Sequence, residues 1–241
     1  MIEIENVSKT YNGKVKAVDD LTLTVPEGEI VGFLGPNGAG KTTTLKMLTG
    51  VLKPDGGTIR INGLDLGRRP LEVKRLIGYV PDNPDTFLRL KGSEYLNFMA
   101  DMYGVSSADR RRRIASLSQT LEMSASLSDT LQNYSHGMRQ KIVLIGVLIH
   151  EPEVFILDEP MTGLDPKSSF TLKAILREYA KQKRTVFFST HILDVAERLC
   201  DRVAVIHRGR LLFSGSLDEM KTHFGKGESL ESMFLEMTEN A

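Results

Sequence analysis

A glycine-rich segment is the part of this chain whose residue types and spacing point most directly to chemistry. It lies between an apolar run at residues 30–34, which predicts a buried strand, and a helical pattern that continues through Leu45 and Leu48. The segment and the start of the helix read Gly35, Pro36, Asn37, Gly38, Ala39, Gly40, Lys41, Thr42 and Thr43. Glycines let the backbone turn its N–H groups inward, and the positive end of the helix also attracts phosphate oxygens. This is the P-loop pattern, and it predicts a nucleoside triphosphate site.

Two side chains at the end of this loop have separate predicted roles. We expect Lys41 to reach the terminal phosphates and the Thr42 hydroxyl to ligate Mg²⁺. The alternative is an accidental glycine turn, which the preceding strand and the following helix make less frequent. Taken alone, the loop indicates only phosphate binding, a property that kinases, GTPases and motor proteins share.

Polar residues also follow two further apolar runs that predict buried strands. Asp158 and Glu159 come directly after residues 154–157, and His191 comes shortly after residues 186–188. Ligands of doubly wound sheets bind beyond the carboxyl ends of the strands, so we expect these side chains near the P-loop. Asp158 then fits a carboxylate that holds Mg²⁺ through its waters, Glu159 the base that orients the attacking water, and His191 a group near the γ-phosphate. The alternatives are a helix cap for the acidic pair and a structural role for the histidine.

The composition is that of a globular chain without charge bias. The 241 residues include 31 Lys and Arg against 31 Asp and Glu, so no overall field favours nucleic acid or an anionic membrane. The longest apolar run, residues 142–149, is far shorter than the roughly 20 residues that span a bilayer. The single cysteine, Cys200, excludes an internal disulfide and suits a core position. We therefore expect a cytoplasmic, soluble chain; if it works at a membrane, another protein supplies the spanning helices.

Hydrophobic periodicity predicts an α/β fold with a mainly parallel sheet, and the glycine-rich loop between strand and helix makes its centre a P-loop NTPase core. Alternating apolar residues at 2–7, 21–25 and 58–61 predict an N-terminal antiparallel β-layer. The continuous apolar runs before the acidic pair and the histidine predict parallel strands covered on both faces. Residues 84–150 have helical spacing and no convincing strand, and they predict an inserted helical subdomain.

The remaining patterns concern surfaces and domain organisation. Four consecutive arginines, Arg110 to Arg113, could mark a nucleic-acid patch, but at the start of a helix they more often form its solvated side. Residues 228–238 predict a C-terminal helix with an apolar stripe. No repeat or low-complexity linker divides the chain, so we expect residues 1–241 to form a single domain.

Two short segments add to the P-loop and the acidic pair. Residues 134–138 read Tyr-Ser-His-Gly-Met, and residues 162–165 read Thr-Gly-Leu-Asp. In their order along the chain, these motifs resemble those of the ATP-binding subunits of ABC transporters, and the resemblance covers nearly the whole length. Ser135 and Gly137 match the Leu-Ser-Gly-Gly-Gln signature of that family, and the second segment matches its D-loop, which ends in Asp165.

The resemblance also gives roles to single residues and exposes two departures. Tyr11 corresponds to the aromatic residue that stacks on adenine, and His191 to the switch histidine. Asp82 stands where the family usually has the Q-loop glutamine; a carboxylate still approaches Mg²⁺ but cannot donate as an amide does. His136 replaces the first signature glycine, so a side chain must fit where the family has none.

Together these matches imply an activity and its partners. ATP and Mg²⁺ are the implied ligands, with Thr42, Asp82 and Asp158 on the metal side, and ATP hydrolysis is the implied reaction. In the family, the signature of one subunit closes over the ATP of another, which implies a head-to-tail dimer with an identical or related ATP-binding subunit. Coupling to an integral membrane permease at the inner face of the cell membrane is implied, and the signature resembles bacterial exporter subunits. The alternatives are a soluble ABC-type ATPase that acts on nucleic acid or ribosomes, although no nucleic acid is expected here, and a small-molecule kinase.

Overall fold

The computed structural model describes residues 1–224 and 229–239, and within them the strands form one four-stranded and one six-stranded sheet. The strands are β1 (Ile2–Tyr11), β2 (Val15–Val25), β3 (Ile30–Leu34), β4 (Gly56–Ile61), β5 (Leu64–Asp65), β6 (Ile77–Val80), β7 (Val154–Asp158), β8 (Thr185–Thr190), β9 (Arg202–His207) and β10 (Arg210–Ser216). The α-helices are α1 (Lys41–Leu48), α2 (Pro70–Leu76), α3 (Gly92–Met102), α4 (Ser107–Thr120), α5 (His136–Leu148), α6 (Pro166–Lys181), α7 (Leu193–Leu199), α8 (Leu217–Phe224) and α9 (Leu230–Glu239).

The smaller sheet is antiparallel, with the strand order β2-β1-β4-β5. Ile2 pairs with Val25 on one side and with Ile61 on the other, and all three side chains are buried. The buried face of this sheet packs against the larger one, whose Phe33 and Phe187 rings lie 5.3 Å apart in the shared core. The predicted antiparallel β-layer is confirmed, because alternating residues can cover a core with one face only.

The larger sheet has the order β10-β9-β3-β8-β7-β6, and only the β9–β10 pair is antiparallel. Every residue of β3, β7 and β8 is buried, as the continuous apolar runs predicted. Because these three strands are parallel, their carboxyl ends meet at one edge of the sheet. The P-loop, the acidic pair and the residues before His191 therefore start from the same edge.

Residues 84–150 form the predicted helical insertion. It contains α3, α4 and α5, and its core includes Tyr95, Leu96 and Ile145, which join the apolar cluster on the other face of the large sheet. The arginine run lies on α4 and is mostly paired with acidic side chains: Arg110 with Asp101, Arg112 with Asp109, and Arg113 with Glu151. Arg112 is 72% exposed, as a solvated face requires, whereas the side chains of Arg110 and Arg113 are only 22% and 20% exposed.

The C-terminal helix α9 begins at Leu230, and residue 228, where the sequence pattern places its start, lies outside the described residues. Leu230, Met233 and Met237 are buried in the same cluster as the helical insertion. Cys200 is buried, and desolvation raises the pKa of its thiol, as expected for a core cysteine. Across the described ranges, no helix combines the length and the apolar character that crossing a membrane requires.

Candidate functional site

The P-loop is held in a conformation that only glycine accommodates at two of its positions. Gly40 has a φ of 109°, and a Cβ atom there would collide with the carbonyl oxygen of Ala17. At Gly35 a Cβ atom would lie 2.5 Å from the carbonyl oxygen of Ile206. The backbone thus approaches two neighbouring strands closely before α1 begins at Lys41.

An open cleft of about 200 Å³ lies over this loop. Its lining includes most of the loop and two acidic residues from other strand ends: Ala17, Pro36, Asn37, Gly38, Gly40, Lys41, Thr42, Thr43, Asp82 and Glu159. Tyr11, at the end of β1, is 39% exposed, and its hydroxyl lies 3.5 Å from the Thr43 hydroxyl. An aromatic face is therefore available beside the start of α1, where the sequence resemblance expects adenine.

Lys41 carries a buried ammonium group at the centre of the loop. Its Nζ donates to the carbonyl oxygens of Gly35 at 2.7 Å and Pro36 at 3.2 Å, and it lies 3.4 Å from Glu159 Oε1. The side chain is only 6% exposed. A positive charge at this depth interacts with an anion more strongly than a charge in bulk water does.

Glu159 lies between two basic groups at the end of β7. Its Oε1 is 3.0 Å from His191 Nδ1 as well as within reach of Lys41, and its Oε2 is buried without a hydrogen-bond partner. The backbone of Glu159 has a φ of 47°, and its N–H donates to the Ser189 hydroxyl at 3.0 Å. Positive φ is unusual for a non-glycine residue, so the surroundings fix this side chain over the cleft.

Asp158 is buried directly before Glu159 and has different contacts. Its Oδ1 accepts a 2.6 Å hydrogen bond from Ser189, whereas its Oδ2 is buried and unpartnered. Burial raises the pKa of Asp158, and the charges of Asp82 and Glu159 act in the same direction, while the Ser189 and Thr42 hydroxyls oppose the shift. A cation beside the free oxygen would remove this cost of keeping the carboxylate ionised.

The contacts of Asp158 leave room for a metal ion. The described residues contain no group of three His, Cys, Asp or Glu side chains arranged for a metal. Mg²⁺, however, is usually held by one or two carboxylates together with phosphates and waters. The unpartnered Asp158 oxygen, with the exposed Thr42 hydroxyl in the adjoining cleft, fits such a site. Asp82 is exposed and lines the same cleft, and its contact to the ion stays a prediction.

The signature segment, residues 134–138, lies away from this cleft. Ser135 caps α5 by accepting from the Met138 N–H at 3.3 Å, and it is exposed. A Cβ atom on Gly137 would lie 2.8 Å from the Gly163 carbonyl oxygen, and a Cβ on Gly163 would collide with the His136 ring. The extra side chain of His136 is thus accommodated by close packing on a D-loop glycine.

Asp165, which sequence resemblance assigns to the nucleotide, caps α6 in the single chain. Its carboxylate accepts from the Ser168 N–H at 2.9 Å and from the Ser168 hydroxyl, and it lies 3.4 Å from Lys141 Nζ. The hydrogen bonds from Ser168, and next the charge of Lys141, hold the pKa of Asp165 below its usual range. Neither Asp165 nor the signature residues Ser135 and Gly137 line the P-loop cleft of their own chain.

Two contributors to the site carry no strong signal in the sequence. Ser189 follows the apolar run of β8 and bonds to both Asp158 and Glu159, but its residue type alone does not indicate that role. Ala17 lines the cleft from β2 and bounds the loop at Gly40. Only the strand order that brings β7 beside β8 could have identified the serine.

Comparison with known proteins agrees with this geometry. A family model described as ABC transporter matches residues 18–162. The ABC transporter ATP-binding protein NatA of Bacillus subtilis is 36% identical over 224 residues, which cover 91% of this chain and 91% of that protein. The Nod factor export ATP-binding protein I of Paraburkholderia xenovorans is 38% identical over 217 residues, which cover 89% of this chain and 70% of that protein.

Solved structures give the same result. The ATP-binding subunit of an ABC transporter superimposes with a TM-score of 0.93 at 35% identity, covering 98% of this chain and 99% of that one. A dimeric bacterial ABC transporter cassette superimposes with a TM-score of 0.83 at 25% identity, covering 90% and 99% of the two chains. The fold is therefore that of an ABC ATPase cassette, and the chain belongs to the family of ABC transporter ATP-binding proteins.

Proposed function

We propose that this chain binds and hydrolyses ATP to energise transport through a separate membrane permease. The observation that carries the proposal is the position of Glu159, whose Oε1 lies 3.4 Å from Lys41 Nζ and 3.0 Å from His191 Nδ1. In this role Lys41 stabilises the terminal phosphates, Glu159 orients and deprotonates the attacking water, and His191 holds Glu159 and approaches the γ-phosphate. Phosphoryl transfer requires mainly positioning and charge neutralisation, which this group of side chains can supply.

Mg²⁺ completes the proposed site. Thr42 and Asp158 would hold it, Asp82 would approach it, and it would neutralise charge that develops on the β- and γ-phosphate oxygens. The P-loop backbone between Gly35 and Gly40 would bind the phosphates, and Tyr11 would stack on adenine. The buried, unpartnered Asp158 oxygen supports the metal assignment.

We propose further that the complete ATP site needs a second ATP-binding subunit, identical or related. Ser135 is exposed, and neither it nor Gly137 lines the P-loop cleft of its own chain. An exposed helix N-terminus with a serine cap suits the γ-phosphate of a nucleotide on a facing subunit. A solved relative is a dimeric cassette, which supports the same arrangement. Asp165 would join this interface from the D-loop.

An exposed apolar surface on the helical insertion supports the permease as a partner. It consists of Phe87, Phe98 and Met102, which are 51%, 38% and 67% exposed, and the two phenylalanine rings lie 5.2 Å apart. Phe87 belongs to the loop that starts at Asp82, and Asp82 lines the nucleotide cleft. A partner bound at Phe87 would therefore lie five residues along the chain from that cleft. We call this group the Phe87–Phe98–Met102 surface and propose that the permease contacts it.

Direction, location and domain organisation complete the proposal. Export is supported by the exporter-like signature and by a relative that is named for Nod factor export. The chain would act from the cytoplasm at the inner face of the cell membrane. We propose that residues 1–241 act as one domain, because the two faces of the six-stranded sheet support both apolar clusters.

Substitution of the proposed base tests the hydrolysis step. In Glu159→Gln the amide keeps the shape of the side chain and loses its basicity, so we expect ATP binding to persist, a closed dimer to accumulate, and turnover to fall about a hundred-fold or more. Turnover is measured with the permease present. Glu153→Gln, just before the opposite end of β7 and paired there with Asn62, is the matched control and should retain turnover. Near-wild-type turnover in Glu159→Gln would contradict the assignment.

A further inference from the structure

The loop that follows Asp82 is bonded along its length to the segment that leads into Ser135. The N–H of Leu131 donates to the Leu90 carbonyl oxygen at 2.9 Å, and the N–H of Gln132 donates to the Leu88 carbonyl oxygen at 2.9 Å. These two bonds hold the end of the 84–90 loop beside residues 131 and 132. The loop from the nucleotide cleft and the approach to the signature helix α5 therefore form one hydrogen-bonded unit.

Arg139 closes this unit from the first turn of α5. Its Nε donates to the Leu131 carbonyl oxygen at 3.1 Å, its Nη2 donates to the Gln132 carbonyl oxygen at 2.9 Å, and its Nη1 donates to Asp85 Oδ1 at 2.7 Å. The Arg139 backbone N–H also donates to the Ser135 carbonyl oxygen at 3.0 Å. One planar guanidinium thus spans the loop, the approach segment and the helix that Ser135 caps.

We propose that Arg139 is a positioning residue that sets the orientation of Ser135 and Gly137 toward the nucleotide of a second copy of this chain. The inference rests on the proposed dimeric function. Arg139 does not line the P-loop cleft of its own chain, so it acts only through the signature. Its side chain is 21% exposed and that of Asp85 is 44% exposed, so solvent partly screens the ion pair to the loop.

The geometry of arginine is essential to this role. Three N–H groups of a rigid fork reach three acceptors on two segments, which a lysine ammonium on a flexible stem cannot reproduce with the same order. Tyr134 fixes the residue before the signature separately, because its hydroxyl donates to the Ser126 carbonyl oxygen at 2.6 Å. Loss of Arg139 should therefore loosen the orientation of the signature while leaving α5 and its buried core in place.

The test measures ATP-dependent dimerisation by light scattering in a Glu159→Gln background, where hydrolysis does not reopen the dimer. Arg139→Ala should raise the dissociation constant of the dimer about ten-fold, since hydrogen bonds of a charged group are lost. Asp85→Ala removes only the ion pair and should have a smaller effect in the same direction. Arg139→Lys keeps the charge and should recover part of the loss. The affinity of the monomer for a fluorescent ATP analogue should stay within about two-fold of the reference.

Arg112→Ala is the matched control, because Arg112 forms an ion pair with Asp109 at the same 2.7 Å distance but on α4, away from the signature. It should dimerise like the reference. Equal dimerisation of Arg139→Ala and the reference, or equal losses in Arg139→Ala and Arg112→Ala, would overturn the inference. Absence of an ATP-dependent dimer in the Glu159→Gln reference would instead exclude a second copy of this chain as the facing subunit, and would overturn this inference with it.

Discussion

Adjacent acidic residues in the cleft have different surroundings, which fits different chemical roles. Asp158 bonds to Ser189 through one oxygen and keeps the other free, and burial raises its pKa. Glu159 instead lies between Lys41 and His191. Two carboxylates at one strand end can therefore divide the work, one toward a metal ion and one toward water.

At the scale of single residues, Gly40 offers a test of loop geometry. Its φ of 109° and the contact that a Cβ atom would make with the Ala17 carbonyl oxygen predict that Gly40→Ala lowers the free energy of unfolding by roughly 3 kcal/mol. We also expect the affinity for ATP to fall, because the displaced loop no longer presents its N–H groups. Urea denaturation and nucleotide titration measure the two effects.

Gly104 provides the matched control for this substitution. It also has a positive φ, of 66°, but no atom lies within 4 Å of a Cβ built there. Gly104→Ala should cost only about 1 kcal/mol of conformational strain and leave ATP affinity unchanged. Similar losses in both variants would show that backbone strain alone, and not the contact with Ala17, shapes the loop.

The residue types of the site were predictable from the sequence, but their mutual contacts were not. Lys41 and Glu159 follow different strands, and only the parallel order of those strands brings them within 3.4 Å. The D-loop contact of His136 is equally non-local, because residue type gives no distance to Gly163. The roles assigned to these residues stay predictions until variants are measured.

Among the structural elements, the C-terminal ends of α3 and α5 are joined by a stacked pair of rings. Tyr103, after α3, and His150, after α5, have ring centroids 3.6 Å apart and an interplanar angle of 9°. His150 Nε2 lies 3.3 Å from the Ile77 carbonyl oxygen of β6, and its Nδ1 is buried without a partner. The histidine therefore links both helices to the edge of the large sheet.

This stack predicts a pH dependence of stability. Burial lowers the pKa of His150 from 6.5 to about 4, so at pH 5 the unfolded chain is protonated at this site while the folded chain is not. The free energy of unfolding should thus fall by about 2 kcal/mol between pH 6.5 and pH 5 because of this residue. Urea denaturation across that range measures the slope.

His150→Phe is the control for this slope, since it keeps a flat ring against Tyr103 and removes the titration. The unfolding free energy of the wild type should fall toward acid pH relative to that of His150→Phe, because only the wild type takes up a proton at this site on unfolding. Parallel pH profiles of the two proteins would exclude His150 as the titrating group.

Strands with a continuous apolar run or clear alternation were predicted from the sequence, whereas β6 was missed. Every residue of β3, β7 and β8 is buried, and the continuous apolar runs within them predicted these strands. In β6 a glycine and a tyrosine, Gly78 and Tyr79, separate the two aliphatic residues, so the strand shows no continuous aliphatic run. Its place is set by pairing with β7, and Asp82 reaches the cleft because of that pairing.

At the scale of the whole molecule, the chain supplies one part of the proposed two-subunit ATP site and one part of the proposed complex with the permease. The P-loop cleft and the exposed Ser135 lie on separate parts of the surface, and the Phe87–Phe98–Met102 surface adds a third exposed feature. The sequence of one chain contains neither the facing subunit nor the permease. Both partners are therefore proposed from family membership and from exposed surfaces of this chain. Mutation of the apolar surface tests the proposed permease contact directly.

We predict that Phe98→Ser weakens binding to the permease about ten-fold and leaves the nucleotide affinity of the isolated chain unchanged. The Phe98 ring lies 5.2 Å from that of Phe87 at an interplanar angle of 53°, so its removal takes away a central part of the apolar surface. Co-purification of the tagged chain with its integral membrane partner from detergent-solubilised membranes measures binding. Leu71→Ser is the control, because Leu71 is 74% exposed but lies on α2, outside the helical insertion. If both variants retained the partner as wild type does, the permease would have to bind elsewhere on the chain.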